Sequence, residues 1–488
     1  MYLESNDLAK TLHAIIDNPK FEAAAKFKPN LNALNGVKAS IAVTGFETSE
    51  QSLTEENAVL KFQPRFVAVV ETKAWGWQTT SFIENQLGEF VNDVYGGEVE
   101  MEMTPRNDGK YFVWSAQDGR KAFALQQDSL VFFGNDESAI ERCQSVKRGE
   151  ADSIAKNPKI TEDERLAFGY ISTEGIGQIA NIAGVSLAMS ASEEEEVKSF
   201  VASVWPEILR NAVKDVTWSA SSTENGIEDK VLITLDDESA RVFDETLAPA
   251  QVGQSQLANL VPVSATSATR YILRDPQIAW RSIVLTARKK TDETSGGLIA
   301  AFSGSLFEAY GIENPELFLS AVSGQLVTVK LTADSEDVVV IGTVKDTVKV
   351  RSSIAKEISF ARQPEKKFAV DVWISDDGGL SAAFIDDRII VGDAETVLKC
   401  LEANQSGGNA ELDRQFAASN AVASSVVNET DSLGKIVDVL SEQKNENERI
   451  AIQYKTETRF NKNGVERRTV SDFGVIGWII EHLAETNN

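Results

Sequence analysis

Two stretches of the chain repeat one constellation that could carry chemistry. Val113-Trp114 is followed after three residues by Asp118-Gly119, and Val372-Trp373 after three residues by Asp377-Gly378. A catalytic carboxylate beside an indole needs a nucleophile, a base or a metal partner. None recurs with the pair. The plainer chemistry is structural: Val-Trp on a strand packs into a core, and Asp-Gly makes a turn. The other reactive residue types are scarce. Histidine occurs only at His13 and His482, too few and too ill-placed for a Ser-His-Asp triad. There is no Gly-x-Ser-x-Gly elbow and no His-Glu-x-x-His pair. The two cysteines, Cys143 and Cys400, cannot form a Cys-rich zinc site or a Cys-x-x-Cys redox pair. They read as small buried apolar side chains, with a disulfide open only if their helices meet.

Four further stretches carry a possible chemistry. The acidic clusters Ser375–Gly379 and Leu235–Ser239 lack EF-hand spacing and read as turns and helix caps, leaving a weak calcium site open. Tyr170-Ile171 followed by Gly175-x-Gly177-x-x-Ala180 mimics a dinucleotide fingerprint. The acidic residue required about 20 positions on is replaced by the start of a helix at 190–196. No cofactor is expected. Trp75 and Trp77 have no aromatic counterparts elsewhere in the chain's repeat pattern, and they are the candidate partner-contact residues.

The elements that must position these residues repeat as well. After each Val-Trp…Asp-Gly comes strand, turn, strand, a glycine (Gly134 or Gly392) and a helix carrying a cysteine. Leu31–Gly36 matches Leu319–Gly324, and 65–73 matches 337–345. Thr223–Asp229 matches Asn461–Arg467, and Tyr2 matches Tyr271. Asp-Gly and Asn-Gly predict two-residue hairpin turns, with positive φ for Asp-Gly in the type I′ form. Alternation places Phe368, Val370, Val372 and Ile374 on one strand face. Phe82, Ile83, Leu87, Phe90, Val91, Val94 and Tyr95 are spaced as one apolar helix face. The expected class is α+β, antiparallel sheets packed with helices. The organisation is two homologous halves, 1–248 and 255–488, joined by an Ala-, Pro- and Gly-bearing linker, with four related modules as a finer division.

A Tyr-Leu or Tyr-Ile strand leading into a helix, "NPELFLSAVSG" before a strand, and the closing "AAFIDDRIIVGDAETVLKCLEA" together resemble a family of uncharacterised bacterial exported proteins with duplicated α+β domains. The resemblance implies export and brings no activity and no site residues. Members of that family carry a signal peptide or lipoprotein leader, and neither is visible in this sequence.

With 74 acidic and 48 basic residues the net charge is −26, which disfavours nucleic acid and anionic membranes as partners. No apolar run approaches the ~20 residues of a spanning helix. The near-absence of a lead-in before the first strand suggests that Met1 replaces a targeting segment, placing the protein in the periplasm or outside the cell; a native Met1 would place it in the cytoplasm. The leading functional expectation is a non-catalytic interaction or structural protein that meets a protein partner or a cell-surface component, in an unknown oligomeric state. One alternative is a binding protein for an apolar small molecule or lipid held between sheet and helices. The other is a hydrolase using carboxylates alone.

Overall fold

The computed structural model describes residues 1–26, 28–52, 58–97, 99–106, 109–160, 164–191, 195–250, 256–332, 338–429, 432–441 and 451–485. The fold is α+β, with one antiparallel sheet of twenty strands. Ten strands belong to the first half: β1 (Tyr2–Ser5), β2 (Lys38–Ser52), β3 (Ala58–Glu71), β4 (Val99–Arg106), β5 (Gly109–Ala116), β6 (Lys121–Gln127), β7 (Leu130–Gly134), β8 (Ala167–Ile171), β9 (Val213–Thr223) and β10 (Gly226–Leu235). Ten belong to the second: β11 (Ser267–Ile272), β12 (Val322–Lys330), β13 (Val338–Val344), β14 (Glu365–Lys367), β15 (Val370–Ile374), β16 (Leu380–Ile385), β17 (Arg388–Asp393), β18 (Ala423–Glu429), β19 (Ile452–Asn461) and β20 (Gly464–Ser471).

In the first half the strands pair in the order β4-β5-β6-β7-β3-β2-β1-β8-β9-β10. β10 pairs with β20. The ladder then continues β20-β19-β18-β11-β12-β13-β17-β16-β15-β14. The order of the second half is that of the first, reversed, with ten added to every label. Counting from Gly226 and Gly464, Lys230 and Arg468 are both fifth, and they stand opposite each other at the centre of the β10–β20 pairing. Glu466 joins them, 3.4 Å from Lys230 Nζ and 2.7 Å from Arg468 Nε.

Both faces of the sheet are covered. In the second half Val327, Val329 and Ile341 pack on one face, under helices Ala394–Gln405 and Ala410–Ala418. Their neighbours Leu326 and Val340 pack on the other, with Phe318 and Val350. In the first half Phe112, Trp114 and Phe133 take one face, and Tyr111, Leu125 and Phe132 the other. A further core spans the junction of the halves. It joins Ala9, Ile15 and Phe21 to Leu433, Ile436, Phe473 and Ile480. Burial of these side chains, at about 25 cal/mol per Å2 of apolar surface, holds the two halves as one folded body.

Several local expectations need correction. Asp118-Gly119 and Asp377-Gly378 do not make type I′ turns. Only the glycines have positive φ, 89° and 77°, and the loops are longer than two residues. Gly119 N–H donates to Ala116 and Gly378 N–H to Ser375. A two-residue turn with positive φ at both positions occurs instead at Phe368-Ala369, φ 50° and 62°. Phe368 therefore lies between β14 and β15 and shares no strand face with Val370. At the Asn-Gly hairpins the loops are Glu224-Asn225 and Lys462-Asn463, so each glycine is the first strand residue. Gly134 and Gly392 are alike in their surroundings: a Cβ would lie 2.1 Å from the Phe66 carbonyl oxygen at one and 2.2 Å from that of Val338 at the other. The helix over 76–95 is interrupted by a π-helical turn, Ile83–Leu87. The wider turn shifts the helical phase. Ile83 and Val91 are buried, whereas Phe82, Phe90 and Val94 face out.

Candidate functional site

A cavity of about 440 Å3 lined mainly by apolar side chains lies in the second half, with Leu247 of the first half at its edge. Its floor is one row across four strands: Leu326 on β12 pairs with Tyr271 on β11, Tyr271 with Ala423 on β18, and Ala423 with Thr458 on β19. Thr328 and Phe460 extend the row by two residues along their strands and therefore share its face. The roof is the helix Pro276–Lys289, through Ala279, Trp280 and Ile283, the helix Pro315–Ala321, through Phe318 and Leu319, and the 3-10 turn Ser305–Tyr310. Trp280 and Phe307 meet edge to face at the roof, ring centroids 5.0 Å apart.

The roof helices form where their sequence requires. Asp275 caps the first, its carboxylate accepting from Ile278 N–H at 3.0 Å, and Pro276 suits the first helical position. Asn314 and Pro315 repeat the device, with Asn314 Oδ1 accepting from Leu317 N–H at 3.0 Å. No charged side chain is among the lining residues. The cavity's polar side-chain groups are four hydroxyls and the Trp280 indole N–H, all neutral. Burial pushes the Tyr271 hydroxyl above its usual pKa, against a hydrogen bond from Thr328 that acts the other way. Tyr310 is also pushed up, by burial and then by Tyr271. Such a wall can hold an apolar ligand and a neutral polar group.

The same place in the first half is closed. With the Gly226 and Gly464 hairpins aligned, the register sets Ala268 level with Tyr2, and so Tyr271 level with Ser5 rather than with Tyr2. Thr458 is level with Ala220 and Phe460 with Ser222. On these small residues the helix Leu8–Ile16 sits close. Thr11 Oγ1 is 2.8 Å from Ser5 Oγ and donates to the Leu166 carbonyl at 2.7 Å. The matching helices are both capped by aspartate, Asp7 and Asp275, so Ile15 corresponds to Ile283. Ile15 is 0% exposed and Ile283, at the cavity's rim, 41%.

The predicted contact residues lie elsewhere. Trp75 and Trp77, at the start of the helix over 76–95, are 75% and 71% exposed. Trp75 N–H donates to Gln78 Oε1 at 2.9 Å. Further along the same helix Phe90 and Val94 are half-exposed. The π turn at Ile83–Leu87, which no sequence period announces, moves these two off the buried face held by Ile83 and Val91. Sequence reading missed the cavity residues because they are ordinary apolar residues on three roof segments and five strands. The substitution of Tyr271 for Ser5 was the available signal, hidden by matching Tyr271 to Tyr2.

The remaining candidates are dispersed. Cys143 and Cys400 are free thiols, each seven residues after a capping aspartate; Cys400 is buried and Cys143 half-buried, and burial raises both pKa values. His13 pairs with Asp17 on the surface, and His482 stacks on Trp478. Gly175 and Gly177 lie inside the helix Thr173–Ala191, not in a phosphate loop before it. Trp114 is buried beneath Phe133, and Trp373 packs with Phe360 and Phe384. Among the described residues no cluster of three or more His, Cys, Asp or Glu is placed to hold a metal, and no helix is long and apolar enough to cross a membrane.

No family model matches the chain, and no curated protein matches it. A solved structure titled "Structure of crystal form I of TP0453" is similar at a TM-score of 0.23 with 9% sequence identity, over 48% of this chain and 98% of that one. At that TM-score the likeness carries no argument.

Proposed function

We propose that this is a non-catalytic, extracytoplasmic binding protein whose site is the second-half cavity and whose ligand is an apolar small molecule or lipid. The observation that carries the reading is a walled volume of about 440 Å3 with no charged lining residue, within the ~300–1,000 Å3 of ordinary ligand sites. Export rests on the family resemblance of the sequence. The two halves are taken as copies of one duplicated unit, a reading supported by the reversed strand order and the shared register. Duplication gives the cavity its origin: one copy kept small residues on its floor, and the other acquired large ones that hold the roof away.

The test fills the cavity from its floor. Ala423→Phe should weaken the binding of a neutral, environment-sensitive apolar dye by more than tenfold, while the melting temperature stays the same or rises. Dye binding unchanged in that variant would place the ligand elsewhere. A second reading, contact with a partner protein through Trp75 and Trp77, is favoured by their exposure of 75% and 71%.

A further inference from the structure

We infer that the cavity selects neutral lipids, an apolar chain carrying a hydroxyl, ester or ketone, over the anion of a fatty acid. The inference rests on the apolar-ligand reading above and narrows it. Four hydroxyl-bearing residues line the cavity, Tyr271, Thr328, Tyr310 and Thr458, and no charged one does. Tyr271 and Thr328 lie on one face of neighbouring strands, and Tyr310 lines the same cavity from the roof. A hydroxyl donates once and accepts twice. The lining hydroxyls therefore offer both donor and acceptor capacity to a neutral polar group.

A carboxylate has no such match. Burying it in an uncharged wall without a counter-ion is disfavoured, and such a group takes up a proton instead. Arg281, next to Trp280 on the roof helix, is already engaged: its Nη2 is 2.6 Å from Glu316 Oε2. Nor does the rim help, since Ile283 and Leu306 are exposed apolar side chains. A carboxyl with an ordinary pKa near 4.3 must gain a proton to enter. At pH 7 this weakens binding about 500-fold relative to the matching alcohol, and each unit of falling pH should recover about tenfold.

The experiment uses the full chain stripped of lipid, with a neutral naphthylamine dye displaced by decane, decanol and decanoate. The expected result is displacement by decanol at about 500-fold lower concentration than by decanoate at pH 7. The gap should narrow as pH falls to 5, through the decanoate curve alone. The double variant Tyr271→Phe, Thr328→Val should still bind dye and decane yet lose most of the preference for decanol over decane. Decanoate equalling decanol at pH 7, or the double variant keeping the alcohol preference, overturns the selection and leaves the apolar site standing. Failure of dye and decane to bind at all removes the apolar-site reading, and the selection with it.

Discussion

Ile15 and Ile283 occupy matching positions on matching helices, yet one is sealed in a core and the other stands at the rim of a cavity. The cause lies below them. Where the first half has Ser5, Ala220 and Ser222, the second has Tyr271, Thr458 and Phe460. Small floor residues let the helix Leu8–Ile16 descend until Thr11 bonds Ser5. Large ones hold the helix Pro276–Lys289 off the strands. One sheet can thus carry a closed core and an open site at equivalent places, because close packing is set by side-chain volume rather than by strand order.

The closed site should be costly to empty. Phe21 is wholly buried in the junction core, so Phe21→Ala should destabilise by about 3–5 kcal/mol. Phe307→Ala, at the roof of a space already open, should cost under ~1.5 kcal/mol. Urea unfolding of both variants, read with a common slope, checks the contrast. Equal losses would mean that the two places are equally packed.

The next effect concerns a tie between the halves. Asp229, on β10, accepts from Trp218 Nε1 and from Val475 N–H, both at 2.8 Å, and so caps the helix Gly474–Glu485 of the other half. The matching helix Asp237–Thr246 is capped by its own neighbour Asp236. Burial pushes the Asp229 pKa up to about 6, although both N–H bonds pull the other way. The native state therefore holds this proton more tightly than the unfolded chain does. Its contribution is full below about pH 4 and is lost as pH rises through about 6, a swing of about 3 kcal/mol. Asp229→Asn should remove that slope, and its cost, measured against the parent chain, should be greatest near pH 4 and shrink toward pH 7. Parallel stability–pH curves for the two proteins would refute the buried-proton account.

Much of this architecture was legible in the sequence. The α+β class followed from hairpin signals and helix periods, and the Val113–Cys143 and Val372–Cys400 stretches form the strand-turn-strand-helix units expected of them. What was not legible depends on contacts between distant segments. Asp229 looks like a strand residue until the helix at 474 arrives beside it. Tyr271 looks like Tyr2 until the ladder is counted three residues along. The turn at Phe368-Ala369 has neither glycine nor asparagine to announce it, and it is met from a distance by Gln405, whose Nε2 donates to the Phe368 carbonyl at 3.0 Å.

The smallest expected effect on stability belongs to the residues that the sequence alone proposed as a contact. Trp75 and Trp77 are mostly exposed, and the stretch in the second half, Val344–Ser352, has no aromatic residue. Exposed side chains contribute little to folding, so changing both to Ala should alter stability by no more than ~0.5 kcal/mol. An interface is a different matter, because a tryptophan buried by a partner contributes ~2 kcal/mol or more to binding. The double variant should therefore separate the two quantities: an unchanged melting temperature, and recovery of a cross-linked partner reduced by at least tenfold. Val348, 75% exposed on the second-half helix Thr347–Ser353, is the control. Val348→Ala should change neither. If it lowers partner recovery as much as the tryptophan pair does, the contact belongs to both halves alike, and the aromatic difference between them does not mark the contact.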